Sequence, residues 1–361
     1  MNTALKVLEE ITKHGFKAYI VGGFVRDYLL GLDTNDVDIC TDATPKDIKQ
    51  IFISVNLPID NYSAVRLYIK KYTFDIMTFR KEISYYNNRK PQEIEYITDL
   101  KEDLLRRDFT VNSLCMDHSG NIVDLLEVKD DIDNRILKSI GDPITKFIED
   151  PLRILRAIRF YTVLNFDMDF SVIDAIKRTK SEVKRLSYSR KKDELDKIFS
   201  SPNASRGVKL MIDLGLDKEL ELDFSKCVLN SDLIGIWATI GINGNYPFTK
   251  NEKFLIEEIK SAMKEDLTSN LVLYKYGLYV ASIAGELKQM DRSLIANTYE
   301  KLPIHNRRDI NITSKEIIEL LNIEPSRIIN DIFEDLINKI LCGKLNNNYQ
   351  ELANYITDNY K

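Results

Sequence analysis

Histidine, cysteine and long apolar runs are scarce in this 361-residue chain, and each shortage excludes a class of function. The three histidines (His14, His118, His305) suit neither a metal cluster nor a histidine-assisted nucleophile. The four cysteines (Cys40, Cys115, Cys227, Cys342) lie far apart and form no CxxC or Cys/His cluster. That spacing argues against a disulfide framework or a zinc site and for a reducing compartment. No run approaches the roughly 20 apolar residues that a membrane helix needs. The opening MNTALKVLEEITKHG is amphipathic and carries acids, unlike a signal peptide, so a cytoplasmic protein without membrane partners is expected. There is no internal repeat and no low-complexity linker.

What is present fits a soluble globular protein of one to three domains, 44% hydrophobic and 30% charged. Its net charge of −5 is unevenly spread. Residues 151–210 hold 14 Lys and Arg against 7 Asp and Glu, an excess of seven that leaves the rest at −12. Such a basic middle is a phosphate-binding surface or a solvated helix face.

The texture changes near residue 140. Before it, KAYIV, DVDIC, AVRLYIK, TFDIMTF and EIEYI have the β-branched and aromatic content of strands. TALKVLEEITKHG and FVRDYLLG read as helices closed by glycine, and Thr44-Pro45 as an N-cap and first helical position. DHSGN at 117–121 reads as a turn between short strands. After residue 140 the pattern is helical, with capping-box forms TKNE at 249–252 and TSKE at 313–316. An α/β head followed by an all-helical remainder is expected.

The stretch YIVGGFVRDYLLGLDTNDVDIC at 19–40 points to chemistry. Gly22-Gly23 makes a turn between strand and helix, where backbone can approach a ligand and N–H groups can meet an anion. Arg26 adds a charged fork for phosphate. Asp36 and Asp38 are two apart on a strand, so both leave one face. Paired carboxylates repel unless a cation lies between them, and magnesium, completed by substrate phosphates, is the natural one. Phosphoryl or nucleotidyl transfer follows.

GGFVRDYLLG with DVDI, RRDFTVNSL at 106–114, EDPLRILRAIRF at 149–160 and PIHNRRDINITSKEII at 303–318 together resemble the class II CCA-adding enzymes and poly(A) polymerases, the tRNA nucleotidyltransferase family. The resemblance implies an α+β fold: a nucleotidyltransferase head at 1–138, then helical neck (139–200), body (201–260) and tail (261–361), with tRNA along the concave side. It maps Asp36 and Asp38 onto a metal-binding catalytic pair serving two Mg²⁺ ions. It maps Asp75 onto a third carboxylate that orients or deprotonates the attacking 3′ hydroxyl. Arg107, Asp108 and Asn112 are implied near the triphosphate or ribose, the last two spaced i, i+4 on a helical turn. KEISYYNNRKP is similar to the family's flexible loop, keeping Glu82, Tyr85, Arg89 and Pro91, with Asn87 where an acid is usual. NLPIDNYSAVR at 56–66 lacks the family's Gly-Thr turn, and Ser189 stands where glutamate is common before Arg190 and Glu194.

Asp150 and Arg153, i and i+3 on a helix, have complementary chemistry. A carboxylate accepts and a guanidinium donates, which matches the amino group and adjacent ring nitrogen of cytosine and adenine but not of uracil or guanine. With Arg156 they are the implied base-selecting residues. Arg190, Lys191 and Lys192 are the implied tRNA contacts. The expected activity is addition of C, C and A to the tRNA 3′ acceptor end from CTP and ATP. A poly(A) polymerase, an enzyme adding only C or only A, and a non-catalytic tRNA-binding protein are the alternatives. Monomer and homodimer both stay open.

Overall fold

The computed structural model describes residues 2–32, 36–52, 64–69, 72–86, 90–241 and 243–361, with backbone alone for 82–86 and 90–93. Much of the glycine-free stretch at 56–66, together with Asn87 and Arg89, lies outside the described residues. Contacts divide the chain into two compact units, Met1–Glu221 and Leu222–Lys361.

The first unit opens with a helix, Asn2–Lys13, whose Ala4, Val7, Leu8 and Ile11 are buried at the i, i+3, i+4, i+7 spacing of one helical face. It packs beside a mixed six-stranded sheet. The strands are β1 (Ala18–Val21), β2 (Asp36–Thr41), β3 (Ala64–Ile69), β4 (Tyr72–Thr78), β7 (Cys115–Met116) and β8 (Ile122–Val123), in the order β3-β4-β2-β1-β7-β8. Only β2 and β4 run parallel among the paired strands of this sheet. Thr44 is the N-cap and Pro45 the first residue of the helix Pro45–Ile51, as the Thr-Pro sequence implies, and Asp47 completes a capping box there. A separate hairpin, β5 (Arg80–Tyr86) with β6 (Lys90–Tyr96), occupies the KEISYYNNRKP segment. Its register shifts between Glu82 and Ser84 break the strict alternation that marks a strand in sequence.

Past β8 the unit is helical except for a short parallel pair, β9 (Ile136–Leu137) with β10 (Asp167–Met168). Helices Pro143–Glu149, Leu152–Val163, Phe170–Thr179, Tyr188–Phe199 and Ala204–Leu214 follow.

The second unit is helical throughout its described residues, from Leu233–Thr239 to Tyr349–Tyr360. Trp237 is fully buried, with Tyr246 and Phe248 ring centroids each at 5.3 Å. Both expected capping boxes form, at Thr249 and Thr313. Gly285 lies directly against the tip of Ile295, whose side chain would have to move to admit a Cβ there.

Candidate active site

Gly22 follows β1 with φ 78° and ψ −137°, a conformation that L side chains rarely adopt. A Cβ there would stand 3.4 Å from Asp38 Oδ2, so the bare backbone lies against that carboxylate. The register sets Asp38 opposite Val21 on one side and Asp75 on the other, with Asp36 opposite Thr73. Asp36, Asp38 and Asp75 therefore leave the same sheet face, while Val37 and Ile39 fill the core behind. Asp38's carboxyl is pushed up to about 6, first by burial, then by Asp36 and Asp75, against the opposing pull of Arg107.

Asp75 is not an open carboxylate. Arg66 Nε and Nη2 donate to its two oxygens at 2.6 and 2.7 Å. Among the described residues no three His, Cys, Asp or Glu side chains gather as a metal cage. The donor set offered is two hard carboxylates with a local excess of negative charge. This fits a magnesium ion whose shell is completed by substrate oxygens.

Facing Asp38 is a cavity of about 530 Å³ lined by seven arginines and three aspartates. Arg106 and Arg107 converge on the fully buried Asp103, at 2.7 and 3.0 Å. Arg107 Nε is buried without a hydrogen-bond partner among the described residues. The expected helical turn through Asp108 and Asn112 is corrected. The helix Leu100–Leu105 has already ended, and Thr110–Asn112 is a single 3₁₀ turn. The two side chains still meet, Asn112 Nδ2 donating to Asp108 Oδ1 at 3.2 Å. Burial pushes the Asp108 carboxyl up, but the Arg156 guanidinium, with Nε at 2.5 Å, and further hydrogen bonds outweigh it and hold the group low. Arg26 donates to Asn112 Oδ1 at 2.8 Å, which ties the Gly22-Gly23 turn to this network.

The EDPLR segment is also corrected. Asp150 does not share a helix with Arg153: it is the extended C-cap (φ −138°, ψ 100°) of Pro143–Glu149, and a new helix begins at Leu152. Pro151 explains the break, because the residue before proline is kept out of the helical region. The Arg153 guanidinium donates to Lys146 O, Glu149 Oε2 and Arg106 O at 3.0–3.1 Å, while its backbone N–H donates to Asp150 O at 3.0 Å. Asp150 Oδ2 instead accepts from Arg190 Nη2 at 3.4 Å. All three side chains still line the one cavity.

The adjacent lysines part company. Lys191, an expected tRNA contact, is buried, with its ammonium over the Tyr188 ring at 4.6 Å and its pKa lowered by burial. Lys192 pairs with Asp196 at 2.7 Å. Arg159 and Phe160 also line the cavity without a role in the sequence reading. The i+3 recurrence of Arg153, Arg156 and Arg159 is the signal that points to the first.

Three family models match the chain: the Poly A polymerase head domain at 18–138, the RNA and SrmB- binding site of polymerase A at 165–224, and tRNA nucleotidyltransferase domain 2 at 248–356. The CCA-adding enzyme of Ligilactobacillus salivarius is 31% identical, over 97% of this chain and 94% of that enzyme. That of Staphylococcus haemolyticus is 32% identical over 100% and 98%. The fold matches the Bacillus stearothermophilus CCA-adding enzyme in complex with CTP, with a TM-score of 0.85 at 23% identity over 98% of this chain and 96% of that one. With its first three motifs lining one cavity and its full length aligned to such relatives, the chain belongs to the class II CCA-adding enzymes of the tRNA nucleotidyltransferase family.

Proposed function

We propose that this enzyme adds C, C and A in turn to the 3′ end of tRNA, using CTP and ATP and releasing pyrophosphate. One observation carries the reading: Asp38 and arginines from four separate segments border a single cavity. A wall with seven guanidiniums and three carboxylates suits a triphosphate through charge-assisted hydrogen bonds. The family is metal-dependent, and Asp36 and Asp38 would hold two Mg²⁺ ions together with substrate oxygens. When bound, the ions neutralise the triphosphate and favour ionisation of the attacking hydroxyl.

The chain's own groups do the rest. Gly22-Gly23 admit the phosphates close to the backbone, and Arg26, held by Asn112, reaches them from the helix Gly23–Leu29. Asp75, its carboxylate fixed by Arg66, orients the primer's 3′ hydroxyl on the face it shares with Asp38. Asp150 accepts from the base amino group. Arg153 has three of its five N–H groups committed to protein oxygens, leaving two for the ring nitrogen beside that amino group. Uracil and guanine would set carbonyl against carboxylate and N–H against guanidinium, at a cost of about 1–3 kcal/mol for each buried mismatch. In this reading residues 1–138 are the head, 139–200 the neck that selects the nucleotide, 201–260 the body and 261–361 the tail that binds tRNA.

The test uses tRNAs lacking three, two or one terminal nucleotide, incubated with each nucleotide singly and in pairs. CTP alone should complete both C positions, and ATP should add one residue only after them. Runs of A would make it a poly(A) polymerase, one nucleotide type a restricted enzyme, and no incorporation a tRNA-binding protein.

A further inference from the structure

Phe160 lies on the helix Leu152–Val163 and is 7% exposed, at the wall of the cavity. Three guanidinium carbons sit around its ring: Arg159 at 4.5 Å, Arg156 at 5.3 Å and Arg26 at 5.7 Å from the centroid. Arg26 arrives from a different element, the helix Gly23–Leu29. Three cations so close repel one another. The Arg159 guanidinium has a lowered pKa, first from burial, with Arg156 and Arg26 adding to it against Glu194. Each arginine has its own carboxylate: Arg26 has Asp27 at 2.7 Å, Arg156 has Asp108 at 2.5 Å, and Arg159 has Glu194 at 3.1 Å. Among the described residues, all three guanidiniums approach the one ring.

A benzene face carries negative quadrupole potential, which attracts cations where an aliphatic side chain of similar size would only fill space. Phe109 braces the ring edge-on, with centroids 5.8 Å apart at 77°. We propose that Phe160 is a positioning residue of the triphosphate site: its ring gathers Arg26, Arg156 and Arg159 before substrate arrives, so binding does not have to assemble them. The inference rests on the cavity being the nucleotide site. It deepens that reading by assigning the triphosphate to this sub-cluster of arginines.

Replacing Phe160 with mono-, di- and trifluorinated phenylalanine keeps the ring's shape and weakens its face potential stepwise. Equilibrium binding of CTP, CDP, CMP and cytidine is then measured with Mg²⁺ present, beside the thermal midpoint of the free protein. The CTP Kd should rise along the series, to about three- to tenfold for the trifluoro variant, as expected for lost preorganisation. The rise should shrink with each phosphate removed and vanish for cytidine, which simple damage to the fold would not produce. Phe160→Leu should show at least the full loss. A CTP Kd that stays flat or falls along the series, with wild type binding CTP, overturns the role of the ring alone. Absence of CTP binding by the wild type overturns the assignment of the cavity, and this inference with it.

Discussion

Asp38 and Asp108 border the same cavity, both largely buried, and their surroundings drive them in opposite directions. On the sheet wall, burial and two neighbouring carboxylates push Asp38 up to about 6. Past the end of the helix Leu100–Leu105, Arg156, Asn112 and the Phe109 amide overcome burial and hold Asp108 low. The protein itself satisfies the Asp108 carboxylate, whereas Asp38 is short of positive charge. A site that the fold leaves unbalanced is one that a ligand completes, and here the missing component is a cation.

The largest effect follows from that imbalance. Asp38→Ala or Asp36→Ala removes a carboxylate from this deficient site, and magnesium-dependent incorporation should fall by at least about a thousandfold. Folding and tRNA binding should stay intact, since neither side chain fills the core. Near wild-type incorporation by either variant would show that the deficit has nothing to do with the metal.

The same contrast predicts opposite stability changes in EDTA. The folded pKa of Asp38 lies above its ordinary 3.8, so its ionisation costs stability progressively from about pH 4 and fully above about 6. Asp38→Asn should therefore stabilise the protein at pH 7.5 by at most about 3 kcal/mol, and by less at pH 5. Asp108, with its pKa depressed, contributes stability that is present above its unfolded value and lost as pH falls through the folded one. Asp108→Asn should destabilise at pH 7.5 by about 1.5–3 kcal/mol, with the loss shrinking toward acid. Denaturant titrations at several pH values read both, and changes of the same sign would erase the contrast.

Next in size is nucleotide selection. Arg153→Ala touches neither Asp38 nor Asp108 and should relax the preference for CTP and ATP by about ten- to a hundredfold, the worth of one charge-assisted hydrogen bond. Single-turnover incorporation of all four nucleotides measures it. If all four fall in parallel, Arg153 is only the brace that its bonds to Glu149 and two carbonyls make it in the free protein.

Features set by short-range spacing were legible in the sequence: the glycine turn, the shared face of Asp36 and Asp38, the N-cap at Thr44 and the capping boxes at Thr249 and Thr313. The break at Asp150 was legible too, because Pro151 forbids the helix there, but the i, i+3 spacing of Asp150 and Arg153 suggested one continuous face. Which carboxylate each arginine chooses was not legible. Arg153 with Glu149, Arg190 with Asp150 and Arg66 with Asp75 depend on how separate elements pack, and guanidinium chemistry alone accepts any of them. The gathering of Arg26 beside Arg159 on Phe160 joins residues more than a hundred positions apart, which no local pattern encodes.

The smallest effect separates two neighbours expected to act alike. Lys191 lies four before Leu195 and seven before Ile198, on the buried stripe of the helix Tyr188–Phe199, while Lys192 faces Asp196 at the surface side of that helix. If tRNA phosphates run along this helix, each lysine that releases a counterion contributes about 0.7–0.9 to the slope of log affinity against log salt. Lys192→Ala should make the slope shallower by no more than that, since Asp196 already takes part of its charge. Lys191→Met should leave the slope unchanged, because its ammonium lies over the Tyr188 ring inside the unit and displaces no ion from RNA. Binding of tRNA at four salt concentrations decides. A shallower slope for Lys191→Met would mean that the side chain turns outward when tRNA arrives, and the division between buried and surface charge on this helix would fail.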